Sequence, residues 1–404
     1  MNILEILPTI REQLIKKHGA LLSETGREAE LKQAIAKELK SLKKDADPET
    51  VDEVAAYLIG LGPVDKLLKD PLVSEIMVNR YDEVFLERNG IIEKTDLSYP
   101  SEEDLRNVLD RIVQRCGRRI NYSSPIVDAR LPDGSRVNAV IPPASDNTVI
   151  TIRRFVKLTF TTEDLIKTSF LTHEIAELLR ILVEGKANIL VCGATGCGKT
   201  TFLRWLAGFV PTSERLITIE DTKELALKHP HCISLEASDK AGIYELMINA
   251  LRMRPDRIIL GEVRGEEAFE LLQAMGTGHE GSITTVHANF GKTEAIQRLV
   301  RAMLKVQGVT FEELEAMVAE VLDFIIFLKR FPDGSRRLVH ITQVKSERGK
   351  PVFNDIYRYN RIKNQHVRLG TVTPELVERL QENLRGEMPK HPAISKPLEV
   401  VSAQ

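Results

Sequence analysis

Cysteine is scarce in this chain: four in 404 residues, at Cys116, Cys192, Cys197 and Cys232, with no CxxC pair and no metal-ligand spacing. That excludes a disulfide scaffold and a zinc module and suits a reducing compartment. Long apolar runs are also missing. The longest, Val54 to Ile59, is far too short to cross a bilayer. The amino terminus, MNILEILPTIREQ, carries Glu5 inside its apolar stretch and has no basic flank, so no secretory signal is visible. Neither sign of charge dominates, since 56 Lys+Arg stand against 58 Asp+Glu. A general nucleic-acid binder would carry a basic excess or tail, and no basic-aromatic patch of the single-strand-binding kind is evident. No internal repeat is evident either. What is present is an ordinary globular mix, 43% apolar and 28% charged, in a chain long enough for two or three domains.

Five segments follow from the pattern: a partly flexible helical segment over 1–62, an α+β domain over 63–155, a connector over 156–172, an α/β domain over 173–370 and a loosely held tail over 371–404. In the first, Leu31, Ala34, Ile35, Leu39 and Leu42 recur at helical spacing within a Lys/Glu-rich stretch from Gly26 to Lys44. That face either docks on a partner or belongs to a solvated helix, and the charge density favours the second. Asp47-Pro48 restarts a helix that closes at Gly60. In the second segment Asn89-Gly90 joins Glu83 to Arg88 and Ile91 to Lys94 as a hairpin. Ser101 and Asp104 read as a capping box opening a helix faced by Leu105, Val108, Leu109, Ile112 and Val113. Short strands follow at Ile126 to Arg130, Arg136 to Ile141 and Val149 to Phe155. From Glu174 onward apolar strands alternate with helices, at Ala187 to Cys192, Leu216 to Ile219, Arg257 to Leu260 and Ser282 to Val286, which predicts a parallel sheet. Phe324 to Leu328, Leu338 to Val344 and Val352 to Tyr359 extend it antiparallel.

Gly193-Ala194-Thr195-Gly196-Cys197-Gly198-Lys199-Thr200 satisfies G-x-x-x-x-G-K-[ST] at each fixed position. Its glycines let backbone N–H groups converge on phosphate oxygens, and the helix opening at the loop, from Thr201, adds its positive end. Lys199 would reach the β- and γ-phosphates of a nucleotide and Thr200 would ligate Mg²⁺. Cys197 reads as a tolerated small residue rather than a redox switch, and Trp205 as core packing.

Hydrolysis needs a metal and a group that positions water. Arg257 to Leu260 runs into Gly261-Glu262, an apolar strand ending in a carboxylate, and Leu216 to Ile219 runs into Glu220-Asp221. The carboxyl ends of parallel strands line the ligand crevice, so Lys199, Glu220 and Glu262 share one edge. Glu220 and Glu262 are thus candidate metal ligands beside Thr200. His279 and His287, framed by glycines around the strand Ser282 to Val286, either report on the γ-phosphate or are ordinary hydrogen-bonded histidines.

In combination GATGCGKTT, LITIEDTKEL, LRMRPDRIILGEVRGEEAFELLQAMGTGHEGSITTVHAN and SSPIVDARLPDGSRVNAVIPP resemble the type II/type IV secretion ATPase superfamily over Val64 to Asn360, and within it the CpaF family of tight-adherence (Tad) pilus motors. The resemblance implies a RecA-like P-loop ATPase domain preceded by a smaller, PAS-like α+β domain. It further implies a cytoplasmic homo-hexamer that hydrolyses ATP with Mg²⁺ to drive pilus assembly or retraction through an inner-membrane platform, without entering the membrane itself. On that pattern Gly193 to Thr201 is the Walker A loop, Glu220 lies in the acidic box, Glu262 is the Walker B carboxylate and Gly276 to His287 covers the histidine box. Gly-Glu at 261–262 is the family's own form. The tetracysteine insertion of many pilus-assembly ATPases is absent, which favours the CpaF branch.

A phosphoryl-transfer site also gains from an arginine. Arg130 and Arg136 flank the turn Pro132-Asp133-Gly134, and strand alternation places Arg153 and Arg154 on opposite faces. The resemblance implies that arginines of the amino-terminal domain close over the nucleotide, with the hinge in 156–172; otherwise they solvate a sheet edge. Arg252 and Arg254 are further candidates. The alternatives are a nucleic-acid translocase, although no nucleic acid is expected from the charge, a small-molecule kinase, which lacks a lid-like arginine cluster here, and a non-hydrolysing scaffold.

Overall fold

In a computed structural model of the chain, residues 3–23, 27–88, 90–154, 160–238 and 240–395 are described. Asn89 of the expected hairpin turn, residues 155–159 of the expected connector and residues 396–404 of the tail lie outside them. The chain divides into two compact units, Met1–Val156 and Lys157–Gln404.

The first unit opens with α1 (Ile3–Ser23), α2 (Glu28–Ser41) and α3 (Pro48–Ile59), the last capped by the Asp47 carboxylate on the Thr50 N–H. The solvated reading of the second helix is corrected. Leu31, Ala34, Ile35 and Leu39 are buried in a cluster with Ile10 and Leu14 of α1 and Val51 and Val54 of α3. Each helix therefore supplies the cover that the others need. A short α4 (Asp65–Lys69) leads to β1 (Val73–Arg80), β2 (Glu83–Arg88) and β3 (Ile91–Lys94), then α5 (Glu102–Arg115), β4 (Ile126–Arg130), β5 (Arg136–Val140) and β6 (Val149–Arg153). These strands form one antiparallel sheet in the order β3-β2-β1-β6-β5-β4. The apolar stripe of α5 (Leu105, Val108, Leu109, Ile112, Val113) shares a core with Ile76, Val78, Val137, Ile150 and Ile152. Ser101 does cap α5, by accepting from the Asp104 N–H, but the Asp104 carboxylate accepts from the Ser101 hydroxyl. Strand β1 had not been anticipated, because Glu75 and Asn79 interrupt its apolar pattern.

The second unit runs α6 (Thr162–Lys167), α7 (His173–Glu184), β7 (Ile189–Gly193), α8 (Lys199–Ala207), β8 (Leu216–Glu220), β9 (Cys232–Glu236), α9 (Ile243–Leu251), β10 (Arg257–Leu260), α10 (Glu267–Gly276), β11 (Ile283–His287), α11 (Lys292–Met303), α12 (Phe311–Val321), β12 (Phe324–Arg330), β13 (Arg336–Glu347), β14 (Lys350–Asn360), β15 (Gln365–Arg368), α13 (Pro374–Asn383) and α14 (Pro392–Ser395). Its nine strands lie in the order β15-β14-β13-β12-β7-β11-β10-β8-β9. Pairing is parallel from β12 through β9 and antiparallel from β12 to β15. Apolar clusters cover both faces: α7, α8 and α13 on one, α9 to α12 on the other. Burial on two faces is why these strands read as continuous apolar runs.

The expectation of a loose tail from 371 does not hold for residues 371–395. Leu376 and Leu380 of α13 are buried in the α7–α8 core, and the Val372 N–H donates to the Ala393 carbonyl at 2.7 Å. Arg379 of α13 also pairs with Asp323, which is buried at the start of β12.

Candidate active site

Strand β7 sits in the middle of its sheet, and the loop at its carboxyl end curls back into α8. Gly196 (φ +73°) and Gly198 (φ +97°) adopt left-handed backbone that other residues resist. At Gly193 a side chain would collide with the Leu328 carbonyl and the Cys197 sulfur. Cys197 is buried, and burial pushes its thiol pKa up. Ala194 and Thr195 stay accessible at the loop's apex, and Thr200 and Thr201 are half-buried in the first turn of α8. Lys199 is only 8% exposed. Its ammonium donates to the carbonyls of Gly193 (3.0 Å) and Ala194 (3.4 Å) and to His287 Nδ1 (3.1 Å). Burial lowers its pKa.

His287 reaches Lys199 because β11 pairs with β7 in a register that sets it beside Gly193. An ammonium can only donate, so Nδ1 accepts and Nε2 carries the proton. Nε2–H then donates to Glu262 Oε1 at 2.6 Å. Burial and the neighbouring Lys199 charge hold the imidazole below its usual pKa, against the pull of Glu262, so it is neutral at pH 7. Glu262 Oε2 in turn accepts from Arg264 Nη2 (2.7 Å) and Nε (3.0 Å), and Arg264 Nη1 reaches Asp221 at 3.3 Å.

Glu220 ends β8 one strand further on. Its Oε1 accepts from the N–H groups of Glu224 (2.9 Å) and Leu225 (2.8 Å), a turn also held by Arg204 on the Glu224 and Leu225 carbonyls. Glu220 Oε2 is buried with no hydrogen-bond partner among the described residues, and burial raises its pKa. Gly261 suits the close approach here, since a Cβ would stand 3.1 Å from Glu220 Cγ. An orphaned carboxylate oxygen at the carboxyl end of a strand, in the sheet that carries the phosphate loop, has the chemistry of a cation ligand. Among the described residues no group of three or more His, Cys, Asp or Glu is placed to hold a metal ion. Glu262 is engaged by His287 and Arg264, whereas Glu220 Oε2 is open.

Not every expected residue joins this cluster. His279 Nδ1 lies 3.1 Å from the Pro255 carbonyl, at the sheet edge where β10 and β11 begin, whereas the phosphate loop lies where they end. Arg252 and Arg254 are exposed at that same far edge. In the first unit, cross-strand register aligns Arg130, Arg136 and Arg153 in one row over β4, β5 and β6, with Glu75 of β1 opposite Arg153. Arg154 turns away from that row, and its guanidinium is spent on the carbonyls of Asp70 and Val73.

Two residues at the site escaped the sequence reading. Arg264 is one. The other is Arg336, whose Nε donates to the Gly196 carbonyl at 2.9 Å. A signal for Arg336 existed, because Arg330-Phe331-Pro332-Asp333-Gly334-Ser335-Arg336 repeats Arg130-Leu131-Pro132-Asp133-Gly134-Ser135-Arg136 at six of seven positions, which corrects the absence of repeats. Both copies build one turn. In each, the Ser N–H and hydroxyl bond the Asp carboxylate, and two arginines pair across the hairpin base. Basic and aromatic residues do meet on the second hairpin, where Arg361 lies 5.0 Å over the Phe331 ring and Arg337 5.8 Å over that of Tyr359.

The sequence pattern of the family described as "Type II/IV secretion system protein" matches residues 58–348. A putative conjugal transfer protein of Mycobacterium tuberculosis is 31% identical over 307 residues, covering 72% of this chain and 87% of that protein. The type IV secretion system protein VirB11 of Bartonella quintana is 31% identical over 327 residues, covering 69% of this chain and 90% of its own length. Among solved structures, the pilus retraction motor PilT with bound ADP has 20% identity, a TM-score of 0.52 and coverage of 80% of this chain and 86% of that one. At that identity the likeness is one of fold. It agrees with the α/β architecture of a RecA-like domain behind a smaller amino-terminal domain.

Proposed function

Because the chain belongs to the type II/IV secretion system protein family and is an ATPase of that family, we propose that it is the hexameric motor of a Tad-type pilus or a related secretion machine, working against an inner-membrane platform from the cytoplasmic face. What supports the catalytic part is one observation: Lys199, His287 and Glu262 meet at the carboxyl ends of neighbouring strands in an unbroken series of hydrogen bonds. The loop from Gly193 to Thr201 would cradle the phosphates, and Lys199 would exchange its carbonyl partners for phosphate oxygens. Glu262, held from both sides, would orient the attacking water. Thr200 and Glu220 would hold Mg²⁺, which supplies neutralising charge to the phosphates when bound. On the resemblance, an arginine of the first unit's row (Arg130, Arg136, Arg153) would meet the charge on the transferred phosphate, and turnover would then depend on that unit. No helix among the described residues is long and apolar enough to cross a membrane, which is compatible with attachment through partners.

The test is steady-state ATP turnover per chain against protein concentration, with Glu262→Gln as the control. A rate that climbs and then plateaus supports a site completed by assembly, and Glu262→Gln should abolish it. A flat rate down to dilute monomer removes the ring from the proposal. A second reading, a motor acting on nucleic acid, is favoured by the grouping of Phe331 and Tyr359, tilted at 49° to each other, with Arg361 and Arg337 over their rings. Stimulation of turnover by single-stranded DNA would select it.

A further inference from the structure

Arg264 follows Glu262 by two residues on a chain that is still extended, since the Val263 N–H pairs with the Thr285 carbonyl of β11 at 2.9 Å. Alternation along such a chain sends Val263 into the core, where it is 4% exposed, and puts Glu262 and Arg264 on the same side. The backbone there is pinned as well. The N–H groups of Arg264 and Gly265 both donate to Oε1 of Glu267, at 2.7 and 2.8 Å, and Glu267 is buried in the first turn of α10. An exposed ion pair on a free side chain contributes little. Arg264 is itself 59% exposed, and what sets it apart is geometry rather than burial: two of its nitrogens hold one oxygen of the mostly buried Glu262 while the third spans to Asp221 on the turn after β8.

We propose that Arg264 is a positioning residue that fixes the Glu262 carboxylate for its work on water and ties it to the Asp221 turn. One chain of side chains, Lys199–His287–Glu262–Arg264–Asp221, then runs from the phosphate loop to the acidic turn. Glu262 thereby senses both ends: a change at Lys199 reaches it through His287, and a change at the acidic turn reaches it through Arg264. The inference rests on the reading of Glu262 as the water-orienting residue of an ATPase.

The experiment is ATP turnover by the whole chain of 404 residues as a function of ATP. Arg264→Ala should lower kcat by roughly ten- to a hundredfold while KM for ATP moves less than about twofold, the pattern of a lost transition-state interaction. Arg264→Lys keeps the charge but not the fork, so it should restore kcat only in part. Asp221→Asn should lower kcat modestly alone and add nothing in the Arg264→Ala background, because the two act through one contact. Wild-type kcat in Arg264→Ala would overturn the proposal, as would multiplicative losses in the double variant. The lysine and asparagine variants carry the same requirements, so an Arg264→Ala chain that fails to fold does not end the test. If Glu262→Gln keeps its turnover, the underlying reading fails; if it loses turnover while Arg264→Ala does not, the positioning role alone fails.

Discussion

The imidazole of His287 is placed between a cation it must accept from and a carboxylate it must donate to. Its folded pKa is depressed, so below its ordinary value of about 6.5 the unfolded chain takes up a proton that the folded chain resists. Stability contributed by this group is therefore complete above about pH 6.5 and is lost as pH falls toward the depressed value. Melting curves of wild type and His287→Gln between neutral and mildly acidic pH should converge as pH drops, the wild type having the steeper decline. Parallel curves would mean that the histidine does not titrate in that window. Little of this was legible beforehand. A glycine-framed histidine after a strand is visible in sequence, but its partner is chosen by the β11–β7 register, and register is not written in either strand alone.

At the level of elements, legibility followed burial. Strands β7, β8, β10 and β11 were readable because both faces are covered, nearly every position is buried and apolar residues dominate. Strand β9 was not, because it lies at the sheet's edge, half-buried throughout, and its sequence CISLE mixes polar and apolar residues. Helices α2 and α13 expose a different limit. A charged helix with one apolar stripe looks the same whether its own chain or a partner covers the stripe, or nothing does. Structure resolves both cases, and the resolution is testable. Leu380 is fully buried where α13 crosses Gly185 at the end of α7. Leu380→Ala should therefore cost about 2–5 kcal/mol in urea unfolding, whereas truncation of a loose tail would cost nothing measurable. The arginine row of the first unit belongs to this scale too. The sequence could place Arg153 and Arg154 on opposite faces, but only pairing of β5 with β4 and β6 reveals that Arg130, Arg136 and Arg153 stand side by side.

For the molecule as a whole, the division into two units puts the phosphate loop in one and the arginine row in the other. The phosphate loop, Lys199, Glu220 and Glu262 all belong to the second unit, and Arg136 to the first. If the first unit contributes to chemistry and not to binding, Arg136→Ala should lower kcat far more than it weakens ATP binding measured by titration. Equal losses in both would remove Arg136 from the chemistry of transfer and leave the row as sheet-edge solvation. The twin turns sharpen that comparison, since Arg336 occupies the same position in a hairpin of the second unit and holds a loop carbonyl.

Cys197 gives the phosphate loop a chemical consequence of its own. The thiol is sealed at 0% exposure against the loop it belongs to, and burial keeps it protonated and therefore a poor nucleophile. Cys192 behind it is equally sealed, while Cys116 and Cys232 are half-buried. An alkylating reagent can meet Cys197 only in the moments when the loop loosens. The loop thus carries a built-in clock, whose rate of modification counts openings, and any ligand that holds the loop shut must slow it.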